Sequence, residues 1–200
     1  MQLRAPAILV ATRPHGETAV VARFLTAEYG LVAAYVAGGR GRSLRPVLIP
    51  GNGVEVQVSA RSDSQLPFAK VELQASRAPF LAEPLAAAAI GWITALTATA
   101  LPERQPYPSL HTALGALLDA ICLAPSARGW AGALVAYEML LLRELGYGGQ
   151  GQRPEGDLPE ILAAMDALAQ PLDHYLLADR RAGVMAARER LRELLQRMVE

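Results

Sequence analysis

Pro50-Gly51-Asn52-Gly53-Val54-Glu55-Val56-Gln57-Val58-Ser59-Ala60-Arg61 decides the class of fold. A turn signal of proline, glycine and asparagine opens onto strict alternation. Val54, Val56, Val58 and Ala60 fall on one side, and Glu55, Gln57, Ser59 and Arg61 on the other. That is the period of a half-buried strand. On the C-terminal side, Val71, Leu73 and Ala75 alternate with Lys70, Glu72 and Gln74 in the same way. On the N-terminal side, residues 7–12 and 31–37 are short apolar runs bounded by turn residues. Residues 18–26 carry Val20, Val21, Phe24 and Leu25, a spacing that also fits a helix. Their β-branched content and short length favour a strand. Five strands within residues 1–80, with turns at Pro14-His15-Gly16, at Gly30, at 38–41 and at 51–53, predict a small closed barrel. Closure removes the free strand edges that so small a sheet would otherwise present.

From Pro84 onward the period changes to that of helices. The spacing predicts a first helix over 84–101 carrying Trp92. A second is capped by Ser109 and presents Leu110, Leu114, Leu117, Leu118 and Ile121. A third runs over about 126–145, with Trp130, Leu134, Tyr137, Leu141 and Leu145 on one face, and ends at Gly146-Tyr147-Gly148-Gly149. Asp157 caps a fourth, Glu160 completes the capping-box spacing, and Leu158, Ile161, Leu162, Met165 and Leu168 form its core face. A last amphipathic helix covers 185–198, with Leu191, Leu194, Leu195 and Met198 inward and Glu193–Arg197 as an i,i+4 pair. The expected fold is therefore α+β in two domains: a five-stranded barrel at 1–80 and an all-helical domain at 81–200.

Composition sets limits on function. The chain has 200 residues, 52% of them hydrophobic and 19% charged, so it can bury a core and is not generally disordered. Its net charge of zero hides an asymmetry: residues 1–80 carry nine lysines and arginines against five acids, and residues 81–200 carry ten against fourteen. The single cysteine, Cys122, excludes a disulfide within the chain and reads as an inert core residue. The uncharged run 85–101 reads as a buried helix rather than a membrane span. With no signal-peptide cleavage pattern, the expected location is cytoplasmic, with no membrane partner.

Signals for catalysis are poor. His15, His111 and His174 are isolated and none has a metal ligand at helical spacing. His15 reads as solvated, His111 as a surface or capping residue, and His174 as a partly buried ring beside Tyr175. No phosphate-loop lysine motif, dinucleotide fingerprint or nucleophile elbow is found. Asp157 and Glu160 are accounted for by capping. We therefore expect no enzyme activity, no metal and no cofactor.

Binding signals are stronger. Gly38-Gly39-Arg40-Gly41-Arg42-Ser43-Leu44-Arg45 lies between two apolar runs and holds three arginines in six residues, with no acid between Glu28 and Glu55. Glycine allows close backbone approach, and guanidinium groups match phosphate geometry. The glycines leave this loop without a packing role, so a mobile cationic loop on a barrel is expected. Arg13, Arg40, Arg42, Arg45, Arg61 and Lys70 are the candidate contacts to a nucleic-acid backbone. Phe24, Tyr29, Tyr35, Phe68 and Phe80 are the few candidate stacking residues, so phosphate contacts should dominate, with strong salt sensitivity. A scaffold whose barrel binds a polypeptide is the alternative.

The order of features resembles the RecO family of bacterial recombination mediators. Thr12-Arg13-Pro14-His15-Gly16-Glu17-Thr18 is similar to its opening turn. Glu28-Tyr29-Gly30-Leu31 then precedes the basic loop. Leu101-Pro102-Glu103-Arg104-Gln105-Pro106 resembles its helix connection, and Tyr137-Glu138 through Leu145-Gly146-Tyr147-Gly148 resembles its "LGYG" helix end. The resemblance implies an OB-fold barrel followed by a helical domain. It implies binding and annealing of single- and double-stranded DNA without nucleotide hydrolysis. The implied partners are RecR and the C-terminal tail of single-stranded DNA-binding protein, with RecA loaded indirectly. Arg40, Arg42 and Arg45 stand in the family's basic loop, although Gly38 replaces its usual lysine. Many members carry a four-cysteine zinc module after the "LGYG" end. The short loop 149–156 leaves no expectation of zinc here. Arg128, Arg143, Arg180 and Arg181 are the cations available to rim a site for the partner's acidic tail.

Overall fold

The computed structural model describes residues 2–60, 65–148, 154, 156–178 and 183–199. Strands β1 (Gln2–His15), β2 (Ala19–Thr26), β3 (Gly30–Val36), β4 (Gly53–Ser59) and β5 (Phe68–Ala75) close into a barrel in the order β1-β2-β3-β5-β4. All neighbours are antiparallel except β3 and β5, which meet in parallel at Tyr35 and Phe68. This is the five-stranded topology of an OB-fold, and the α+β expectation holds. The barrel is filled by Leu9, Ala22, Phe24, Val32, Ala34, Val54, Val56 and Val58.

The first strand runs well beyond the expected 7–12 and starts at Gln2. Leu3, Ala5 and Ala7 point inward while Gln2, Arg4 and Pro6 face solvent. Its first half pairs with β4, from Gln2–Ser59 to Ile8–Gly53, and its second half with β2, from Ala7–Thr26 to His15–Ala19. A bulge between Leu9 and Ala11 bends the strand between these two partners. Pro6 masks the strand in the sequence. It falls where β1 has a neighbour on one side only, and there a missing N–H is tolerated.

The basic loop is not devoid of packing, contrary to expectation. Leu48 is buried in the barrel core, with Leu44 and Val47 packed beside it. The backbone of residues 38–48 turns on itself: Arg45 N donates to Gly41 O, and Leu48 N to Leu44 O, each at 2.9 Å. Gly39 is buried, and a Cβ there would press on the Val20 side chain. The loop therefore caps the barrel and holds its arginines on a fixed base.

The chain forms two compact units, Met1–Ala82 with Leu101–His111, and Glu83–Ala100 with Thr112–Glu200. In the first, residues 101–107 lie along the barrel as a strap. Arg104 N donates to Leu31 O at 2.9 Å, and Glu103 pairs with Arg23 at 3.0 Å. Gly30, at φ 67°, sits so close under Gln105 that a Cβ would collide with its backbone.

Among the described residues the helices are α1 (Pro84–Ala100), α2 (Pro108–Leu123), α3 (Ala131–Glu144), α4 (Leu158–Pro171) and α5 (Val184–Gln196). Ser109 lies inside α2 and does not cap it. A separate tight turn, Ala127–Gly129, precedes α3. Asp157 does cap α4, accepting from Glu160 N at 3.2 Å. Beyond α4 the chain widens into a π-helical stretch, Leu172–Leu177, that no sequence signal announces. Met198 is exposed and Cys122 half-buried, so neither is the core residue expected. Arg192 turns to Asp166 on α4, at 2.8 Å, and the expected Glu193–Arg197 pair is not formed. No described helix is long and apolar enough to cross a membrane.

A polar network lies inside this helical unit. Glu138 on α3 is fully buried and accepts from Trp92 Nε1 on α1 at 2.8 Å. Arg188 on α5 grips the same carboxylate through two bonds of 2.9 and 2.8 Å and also donates to Met165 O on α4 at 2.6 Å. One carboxylate and its arginine thus fix four helices in register.

Candidate functional site

Strand pairing lays the candidate site out in rows. Gln2, Ser59, Phe68, Tyr35, Val21 and Arg13 are successive register partners around the barrel. Arg4, Gln57 and Lys70 form the neighbouring row across β1, β4 and β5. These side chains face outward because Leu3, Val58 and Ala69, the residues between them, are buried. A groove of about 660 Å³ is lined by Gln2, Arg4, Gln57, Ser59, Phe68 and Lys70, with Ala37 at the end of β3.

Aromatic rings adjoin these cations. Tyr35 and Phe68 meet edge to face at 5.1 Å, and His15 meets Tyr35 at 5.7 Å. Phe68 remains 61% exposed, well above Tyr29 at 40%. Burying a phenylalanine is worth about 1.5–3 kcal/mol, so an open ring among cations is a costly surface to keep bare.

The cations differ in how free they are. The side chains of Arg13, Arg42, Arg45 and Lys70 are exposed and make no hydrogen bond or ion pair among the described residues. Arg40 donates to Glu17 O at 3.0 Å and Gly16 O at 3.4 Å, so it ties the β1–β2 turn to the basic loop. Arg61 lies outside the described residues, as do Arg180 and Arg181. Arg128 and Arg143 are exposed. Most of the loop expected to lack a zinc module, residues 149–153 and 155, is also outside.

Sequence reasoning misses Arg4 and Gln57. Arg4 alternates with the inward Leu3 and Ala5, a signal that goes unread once the start of β1 is overlooked. Its guanidinium reaches Glu55 at 2.7 Å, and that hydrogen bond raises its pKa further. His174 is exposed rather than partly buried, against Tyr175 at 4.7 Å, and Tyr175 stacks on Tyr147 at 5.1 Å. His111 is half-buried, and desolvation lowers its pKa.

The rows place cations, polar side chains and an exposed ring side by side on the outer face of the barrel. The family model "Recombination protein O N terminal" matches residues 1–77, and "Recombination protein O C terminal" matches residues 81–153. The chain is 43% identical to the DNA repair protein RecO of Rhodospirillum centenum over 143 residues, which is 71% of this chain and 56% of that protein. It is 40% identical to the RecO of Paracoccus denitrificans over 148 residues, 74% of this chain and 60% of that protein. The RecO of Phenylobacterium zucineum is 38% identical over 149 residues, again 74% and 60%. The match thus spans a little over half the length of these curated relatives. With both of the family's models matched in sequence order, and a barrel of the expected topology under the first, the chain belongs to the RecO family of DNA repair proteins.

Proposed function

We propose that this protein acts in recombinational DNA repair as a non-catalytic mediator, whose barrel (residues 1–80) binds DNA through its phosphates. The observation that carries the reading is the set of four exposed cations, Arg13, Arg42, Arg45 and Lys70, presented from the barrel and its capping loop without a partner among the described residues. Neutralising phosphates releases condensed counterions, and that release supplies most of the binding free energy. Contacts of this kind carry little sequence information, so the protein would accept many strands. That tolerance suits annealing of complementary strands, which requires holding either strand by its backbone. In this reading the protein works in the cytoplasm, and the helical domain (residues 81–200) engages RecR and the acidic tail of single-stranded DNA-binding protein, through which RecA is loaded. Names of the relatives support the repair role.

Fluorescence anisotropy with labelled oligonucleotides at rising salt tests this. Four phosphate contacts give a slope of log K against log salt of about −3 on a single strand. A flat dependence, or no binding at low salt, overturns the reading in favour of a barrel that binds polypeptide.

A further inference from the structure

We infer that Phe68 is a stacking platform for one unpaired nucleobase, so that the groove beside it distinguishes single-stranded from duplex DNA. The inference rests on the proposed DNA binding and adds a specificity to it that phosphate contacts alone do not provide. Phe68 is the first residue of β5, faces outward at 61% exposure, and borders an open groove of about 660 Å³. Tyr35 holds the ring from one side at 5.1 Å, and His15 supports Tyr35 in turn at 5.7 Å, so the platform is backed rather than loose.

Lys70 follows two residues later on the same face, and Arg4 stands two strands away in the row Arg4–Gln57–Lys70. A nucleotide whose base lies on Phe68 therefore finds Lys70 for its phosphate, with Arg4, ion-paired to Glu55, beyond it. Gln2, Gln57 and Ser59 line the groove and supply donors and acceptors without a fixed charge. A duplex keeps its bases stacked within the helix and cannot present a free face to the ring. Its phosphates can still reach Arg13, Arg42 and Arg45. Base–aromatic stacking is tolerant of sequence because every base has a π-face.

The test is a thermodynamic cycle on the full chain. Wild type and Phe68→Leu are titrated with a thymidine oligonucleotide, the same strand with all bases removed, and a duplex of equal length. Phe68→Leu is expected to weaken the thymidine strand by about tenfold. It should leave the abasic strand and the duplex unchanged. Wild type should itself prefer the thymidine strand over the abasic one by a similar factor. Phe68→Trp should restore affinity, and its added fluorescence should be quenched by the thymidine strand but not by the abasic one. Equal weakening on all three ligands, or equal wild-type affinity for thymidine and abasic strands, overturns the stacking role while leaving the phosphate reading intact. Failure of wild type to bind any of the three removes both.

Discussion

Glu138 shows how much one side chain can govern. It is an ionisable group with no solvent exposure, held by Trp92 and by Nε and Nη2 of Arg188, whose guanidinium also lies 5.8 Å from the Trp92 ring centre. Removing one member of a buried pair strands the other charge. Glu138→Ala is therefore expected to destabilise the helical unit by about 3–5 kcal/mol. The paired change Glu138→Leu with Arg188→Met should recover much of that loss, because it removes both charges together. Urea denaturation followed by circular dichroism reads both. Nearby, Tyr137 hydrogen-bonds Thr97 at 2.8 Å, and burial raises its phenol pKa. Thr97 Oγ1 is also 2.7 Å from Ile93 O, to which its proton goes, so Tyr137 is the donor in the pair. In the basic loop the same scale separates arginines that sequence treats alike. Arg40→Ala loses two bonds to the β1–β2 turn and should lower stability by about 0.5–1.5 kcal/mol. Arg42→Ala with Arg45→Ala should leave the urea midpoint unchanged and make the single-strand salt slope shallower by about 1.4. A shift in midpoint with no change in slope would reverse these assignments.

At the scale of elements, the strap 101–107 depends on Gly30. Its φ of 67° and the overlying Gln105 backbone leave no room for a side chain. Gly30→Ala should cost about 1–3 kcal/mol from backbone strain alone, with more from the displaced strap, measurable as a lowered urea midpoint. Between α4 and α5, Arg192 grips Asp166 through two bonds of 2.8 Å. Those bonds outweigh burial and hold the Asp166 pKa below its ordinary value. The folded chain thus favours the carboxylate, so the pair stabilises above the ordinary carboxylate pKa of about 3.9. That contribution is lost as pH falls through the depressed folded value. Asp166→Asn should lower the melting temperature slightly at neutral pH and converge with wild type under strong acid. Elements differ in how plainly the sequence announces them. Val54, Val56 and Val58 are unmistakable because each apolar residue has a polar neighbour. The start of β1 is hidden, since Ala5 is small and Pro6 interrupts the run. The strap has no periodicity at all, and its placement depends on Gly30, a residue distant in the chain whose role emerges only in three dimensions. The aromatic ladder is partly legible: Tyr35 and Phe68 are candidates by type, but their adjacency depends on a parallel pairing that no local pattern encodes.

Across the whole molecule, charge is divided rather than uniform. A net charge of zero gives no long-range attraction for DNA, so the proposed binding would draw on the local excess of nine cations over five acids in residues 1–80. The strap bears on that excess. Glu103, beyond residue 80 in sequence, returns to the barrel unit and pairs with Arg23 on β2, a side chain 28% exposed. An exposed pair of this kind is worth about 0–1 kcal/mol to folding. Its effect on the field around the barrel is a full unit of charge. Glu103→Gln should therefore change stability by no more than about 1 kcal/mol. It should also tighten single-strand binding several-fold at low ionic strength. The gain should shrink as salt rises, because charges more than about 10 Å apart are largely screened near 0.1 M. Anisotropy titrations of the variant and wild type at two salt concentrations decide the matter. A gain that persists undiminished at high salt would exclude a screened electrostatic origin, and no gain at either salt would place Glu103 outside the field that the DNA experiences.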